Sequence, residues 1–211
     1  FPTRRSSDLS DFTIAIHKRW GTGDHSMTAR RAEDIAAARW LGAKTVHFNL
    51  PDCIYRRKPA TNEPVILYEE DLWQPTIPEE LPLVAQLSTQ IAERLPDNAR
   101  VVCPMGIGNH MDHHLVRTAV EGLQIPLYYY ADYPYAADPN LKIEDWICGN
   151  CIELRKTISP RALEAWQNAV AAYQSQISTF WGGIGELRTA LEGYLNNGGG
   201  SRLWTPSPSQ N

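Results

Sequence analysis

The densest chemistry in this chain lies at Gly106-Ile-Gly-Asn-His110-Met-Asp112-His113-His114, where three of the six histidines and a carboxylate fall within five residues. Neutral imidazole is a common zinc ligand, and a second imidazole beside a metal can stabilise an oxyanion or move a proton. A carboxylate two residues from His110 can fix that ring's tautomer, and the flanking glycines let the backbone turn sharply and approach a ligand. The same residues also suit a plain polar helix start, with Asp112 as N-cap and the histidines solvated. Spacing alone leaves both open.

Two of the four cysteines, Cys148 and Cys151, stand at C-x-x-C spacing, which serves redox chemistry or half of a zinc site. No second such pair follows. A pair of reduced thiols in a loop or short strand is the simpler expectation, with a thiol-dependent redox protein as the rival. Cys53 and Cys103 stand apart, so the four do not form a secreted disulfide framework. We expect a reducing, cytoplasmic compartment.

These residues must be positioned by something, and the composition allows one ordinary domain. The chain has 211 residues, 43% hydrophobic and 21% charged, enough to bury a sizeable core. A net charge of -4 argues against a bulk nucleic-acid binder, which needs a basic face. No apolar run approaches the roughly 18 to 20 residues of a membrane-spanning helix.

Short β-rich runs alternate with amphipathic stretches. Strands are predicted at Phe12–Ile16, Lys44–Asn49, Arg100–Pro104 and Ile125–Tyr130. Helices are predicted from Thr28, with Ala32, Ile35, Ala36 and Trp40 as its apolar stripe, and from Leu83 to Leu95. A further helix carries Val116, Ala119, Val120 and Leu123, and a last one opens at Ser159-Pro160 with a stripe reaching Ile177. Residues 51–81 hold five prolines and no clean periodicity, so a long loop is expected. The alternation predicts an α/β fold with a mostly parallel sheet, and functional residues beyond the carboxyl ends of its strands. Residues 1–10 resemble a translated sequencing adapter and are set aside as non-native. Residues 11–195 form the domain, and 196–211, rich in Gly, Ser and Pro, are expected to be a flexible tail.

With its neighbours, the histidine segment resembles the second signature of the PIG-L/LmbE-like N-deacetylases, G-x-H-x-D-H followed by an apolar-basic helix. Four further stretches resemble that family in order. They are Arg30-Arg-Ala-Glu-Asp34 with its following Leu-Gly42, Leu50-Pro-Asp52-Cys-Ile-Tyr-Arg56, Tyr129-Tyr-Ala-Asp-Tyr-Pro-Tyr135, and Tyr173-Gln-Ser-Gln176. The resemblance spans residues 12–204 and implies a Rossmann-like three-layer sandwich using zinc to remove an N-acetyl group from a small amino-sugar derivative such as an N-acetylglucosamine conjugate. It implies that His113 is a zinc ligand, that His110 stabilises the oxyanion or protonates the leaving amine, and that Asp112 orients His110. Arg30 and Asp52 would shape the pocket or hold sugar hydroxyls, although a surface ion pair and a loop cap explain them equally well. Oligomeric state is left open.

One departure limits this. The family's first signature, H-x-D-D, supplies two zinc ligands and the general base, and it occurs nowhere in this chain. A catalytic zinc normally takes three protein ligands. The resemblance therefore implies a domain lacking its first strand, with exposed apolar edges and the other two ligands in a missing N-terminal segment. It predicts an inactive fragment with weak zinc affinity. A noncatalytic sugar-binding relative that has lost its metal site is the alternative.

Overall fold

A computed structural model describes residues 9–147 and 149–207, with the side chain of Asp24 outside the description. Most of the segment set aside as non-native, and Cys148 of the C-x-x-C pair, lie outside the described residues. Four strands form one sheet: β1 (Val101–Pro104), β2 (Leu127–Tyr130), β3 (Cys151–Arg155) and β4 (Arg202–Pro206), in the order β1-β2-β4-β3. β1 and β2 run parallel, with Val101 opposite Leu127 and Pro104 opposite Tyr130. β4 is antiparallel to both β2 and β3. The helices are α1 (Asp11–Trp20), α2 (Ser26–Trp40), α3 (Leu81–Ala92), α4 (Met111–Glu121), α5 (Pro160–Ala171), α6 (Gln174–Phe180) and α7 (Ile184–Asn196). The α/β class stands, with one parallel pair joined to two antiparallel pairings.

Two predicted strands are corrected. Phe12–Ile16 lies inside α1, because capping outweighs a five-residue propensity. Ser10 accepts from the Thr13 backbone N–H at 3.2 Å, and Gly21, at φ +64°, closes the other end through His17 and Lys18. Thr13, Ile16 and His17 are the buried positions, a helical spacing rather than an alternating one. Lys44–Asn49 joins no ladder among the described residues. An extended segment becomes a strand only when a neighbour takes its backbone groups. Phe48 packs on the Val84–Leu115 cluster, while Val46 is 60% exposed. On the sheet's own edge, Val102 of β1 is also exposed.

Other expectations shift too. The α2 stripe is not a core face, since Ile35 and Trp40 are exposed and Ala37 is buried instead. α2 is fixed by polar contacts: Glu33 accepts from the Ser175 backbone N–H and hydroxyl, both at 2.7 Å, and Asp34 accepts from the Tyr173 hydroxyl at 2.6 Å. The helix expected to run to Ile177 breaks after Ala171, and α6 resumes at Gln174. The expected tail is corrected as well. Arg202–Pro206 is β4, inside the sheet, and the preceding glycines form a packed turn. A Cβ on Gly199 would sit 2.2 Å from the Tyr194 ring, and Gly198 and Gly200 hold φ of +82° and +67°. Those glycines serve geometry rather than flexibility. No helix among the described residues is long and apolar enough to cross a membrane.

Candidate active site

The site forms where β1 runs into α4. After Pro104 the chain makes a glycine turn, with Gly106 at φ +86° and Gly108 at φ +89°, conformations that L side chains rarely adopt. A Cβ on Gly108 would lie 2.5 Å from the Tyr135 ring, so this position requires glycine twice over. The turn aims the Gly106 and Ile107 N–H groups at one oxygen of Asp132, at 2.8 and 3.0 Å. The other Asp132 oxygen lies 2.7 Å from His113 Nδ1. Asp132 is fully buried, so β2's exit loop and β1's exit loop are joined by one desolvated carboxylate.

That contact orients His113. With Nδ1 turned to Asp132, Nε2 is the nitrogen presented outward, an arrangement in which a carboxylate raises ligand basicity. His110 lies beside it, ring centroids 5.2 Å apart. His110, not Asp112, is the N-cap of α4: its Nδ1 accepts from the Asp112 backbone N–H at 3.2 Å. A neutral imidazole that accepts at Nδ1 carries its proton on Nε2. Burial, then the neighbouring His113 and Arg56, hold the His110 pKa below its ordinary value against the opposing pull of Asp112, so the ring stays neutral. Trp73, from the long loop, crosses His110 edge-on at 5.5 Å, and Tyr135 lies 6.1 Å from His113.

The Asp112 carboxylate has partners of its own besides His110. The residue's backbone N–H donates to His110, while its carboxylate, still within 4.8 Å of a His110 ring nitrogen, bonds elsewhere. One oxygen pairs with Arg56 Nη1 at 2.5 Å and the other accepts from the Cys53 N–H at 3.3 Å. Arg56 in turn pairs through Nε with Glu80 at 2.5 Å, both side chains being deeply buried. Burial pulls the Arg56 guanidinium down, but the Asp112 and Glu80 carboxylates more than offset it and leave it raised. Burial also lifts Glu80 above the usual carboxylate range, with Arg56 drawing it only part of the way back.

Arg30 and Asp52 do meet, at 3.1 Å, and both are partly exposed. Asp52 also caps the turn Cys53–Tyr55 through the Ile54 N–H, so the loop cap weighed against a pocket role is present alongside the ion pair. Arg30, Asp52 and Asp112 line one cavity of about 430 Å³ together with Asp34, His47 and Tyr173. His114 turns aside, to Asn109 at 3.1 Å.

Two sets of side chains bear on metal binding. His113 fits one ligand position, with its supporting carboxylate in place. A second grouping, Cys53, His110 and Asp112, brings potential ligand atoms within 4.8 Å of one another. Its donors are poorly suited: the Asp112 carboxylate is bound to Arg56, and burial, Asp112 and Asp52 raise the Cys53 thiol far above its usual range, disfavouring the thiolate a metal needs. The described residues therefore offer one well-prepared ligand and no complete three-ligand centre. Sequence reasoning missed the roles of Asp132, Tyr135 and Arg56, although all three stand inside stretches singled out above. Trp73 and Glu80 lie in the irregular loop, where no pattern marks them.

No protein-family model matches the chain, and no curated protein matches its sequence. Solved structures do. The zinc-inhibited form of the teicoplanin deacetylase Orf2 superposes with a TM-score of 0.78 at 23% identity, over 96% of this chain and 84% of that one. The A40926 pseudoaglycone deacetylase Dbv21 superposes with a TM-score of 0.69 at 26% identity, over 94% of this chain and 78% of that one. A deacetylase–bog complex from teicoplanin biosynthesis gives 0.77 at 23%. The fold is shared with these deacetylases.

Proposed function

We propose that this chain carries the substrate-side half of a zinc-dependent N-deacetylase site acting on an amino-sugar derivative. The observation that carries this reading is the Asp132–His113 contact beside His110, whose Nδ1 accepts from a backbone N–H, on a fold shared with a teicoplanin deacetylase and an A40926 pseudoaglycone deacetylase.

Each residue's part follows from its geometry. His113 offers Nε2 as a metal ligand, with Asp132 holding the ring. His110 presents an N–H donor where an amide carbonyl oxygen would gather charge, and hydrogen bonds of this kind are worth typically about 2.7–4 kcal/mol in acyl-transfer sites. A departing amine could take a proton from this ring only in its doubly protonated form, which the neutral imidazole does not supply. Arg30 and Asp52 face a cavity on which sugar hydroxyls can bind, and Trp73 and Tyr135 wall off water. The metal, when bound, would polarise the acetyl carbonyl and activate water. Because H-x-D-D is absent from the sequence, this chain alone is expected to hold zinc weakly and to release little acetate.

The test is calorimetric zinc titration and acetate release, first on this chain and then on a version carrying an H-x-D-D strand ahead of residue 11. Supplying the strand should confer tight binding and activity. In that protein, His113→Ala should lose zinc, whereas His110→Ala should keep zinc and lose turnover by about 10²- to 10³-fold. Full zinc affinity in His113→Ala would refute the ligand assignment. A protein that binds amino-sugars but never turns over, even with the strand supplied, would favour a noncatalytic sugar-binding relative.

A further inference from the structure

Asp132 turns inward to the glycine turn and His113, but its neighbours Ala131 and Tyr133 line a second cavity of about 570 Å³. Its walls are aromatic. Tyr133 stacks on Trp181 with centroids 6.1 Å apart, tilts against Tyr194 at 4.8 Å and meets Trp166 at 6.2 Å. Phe180 also lines it and touches Tyr135, the ring that lies against His113. Its volume falls in the usual range for a small-molecule site of about 300–1,000 Å³, and such sites are lined mainly by apolar and aromatic side chains.

The mouth adds a charge. Lys156 and Arg202 both line the cavity. The Arg202 guanidinium lies over the Trp204 ring at 5.3 Å, and its nearest carboxylate, Glu153, stands 3.6 Å away, too far for a direct hydrogen bond. Glu153 is taken up by Arg155. Arg202 Nε is buried with no hydrogen-bond partner. A buried donor left unmade is costly, and a guanidinium fork matches a carboxylate's two oxygens. A singly charged anion suits a mouth where two cations line the cavity and one carboxylate stands close by.

We propose that this cavity is a binding site for an amphiphilic carboxylate, an alkyl or aryl group seated among the rings with its anion on Arg202 and Lys156. The site is separate from the His110–His113 centre and does not rest on the deacetylase reading. Octanoate serves as the probe, followed by tryptophan fluorescence and calorimetry on the full chain, with the neutral isostere octanamide as the control. We expect saturable one-to-one octanoate binding, with octanamide weaker by about 10-fold, a loss of about 1.4 kcal/mol. Trp181→Ala should weaken both ligands, Arg202→Gln should remove most of octanoate's advantage over octanamide, and His113→Ala should change neither. If Arg202→Gln does not fold, Lys156→Gln, at an exposed side chain, should lower octanoate binding several-fold and leave octanamide alone. The absence of saturable octanoate binding, octanamide binding as tightly as octanoate, or loss of octanoate binding in His113→Ala would each overturn the proposal.

Discussion

Asp132 and Asp112 each stand beside one of the two site histidines, yet they are held in opposite ways. Asp132 is fully buried, with one oxygen accepting from two backbone N–H groups and the other 2.7 Å from the His113 ring. Asp112 is partly exposed and is balanced by a buried arginine that a second carboxylate also claims. The first carboxylate is a local clamp that locks a glycine turn and aims an imidazole. The second is a long-range tie, joining α4 to the 52–56 turn and to Glu80 ahead of α3. A site of this kind needs both, one to set the ligand's direction and one to fix the helix that bears it.

The largest effect is expected at Arg56. Arg56→Met strands the buried Glu80 carboxylate, which should cost about 3–5 kcal/mol and show as a fall of about 10 °C in melting temperature. Arg56→Met with Glu80→Leu should recover most of that loss, because the buried charge leaves with its partner. If the single variant melts with the parent protein, the tie carries no stability, and if single and double variants melt together below it, the stranded Glu80 is not the source of the loss.

The clamp is next. Asp132→Ala removes the acceptor for the Gly106 and Ile107 N–H groups, at a cost of about 2–4 kcal/mol by denaturant titration. Asp132→Asn keeps an acceptor and should cost less, while still disturbing His113. Equal losses in the two variants would show that the hydrogen bonds do not matter.

The partly exposed Arg30–Asp52 pair marks the low end of the same scale. A double-mutant cycle should give a coupling below about 1 kcal/mol, and a value several times larger would place this pair with the buried tie. The last test uses chemistry rather than stability. Burial pushes the Cys103 thiol up to about 12 and the Cys53 thiol higher still. Because the thiolate is the nucleophile, neither should be alkylated by iodoacetamide at pH 8 in the native protein, and both should react in urea. Native-state labelling of Cys53 at pH 8, read by mass spectrometry, would show that the turn beside Asp112 opens.

Much of the site was legible because its residues are close in sequence. His110, Asp112 and His113 fall on the first turn of one helix, and the glycines before it read as a sharp turn because few other residues take those angles. Helices α3 and α4 and strands β1 and β2 followed from hydrophobic period and from turn residues at their ends. What could not be read locally depended on partners. Whether Phe12–Ile16 coils or extends was decided by Ser10 and Gly21, and Lys44–Asn49 lacks the neighbour that would make it a strand. The glycine-rich run before Arg202 looked loose because composition does not report that Tyr194 and Trp166 press against it.

The sequence by itself thus determined the α/β class, the chemical inventory of the histidine turn and the absence of an H-x-D-D signature. Only the tertiary structure decided which carboxylate serves which histidine. Asp112 is two residues from His110, yet its side chain reaches Arg56, and Asp132, from another strand's exit, holds His113. The reason is physical: on a helix start the backbone N–H of Asp112 already satisfies the His110 ring, leaving its carboxylate to the nearest buried cation. The histidine that faces outward must then take its support from across the sheet.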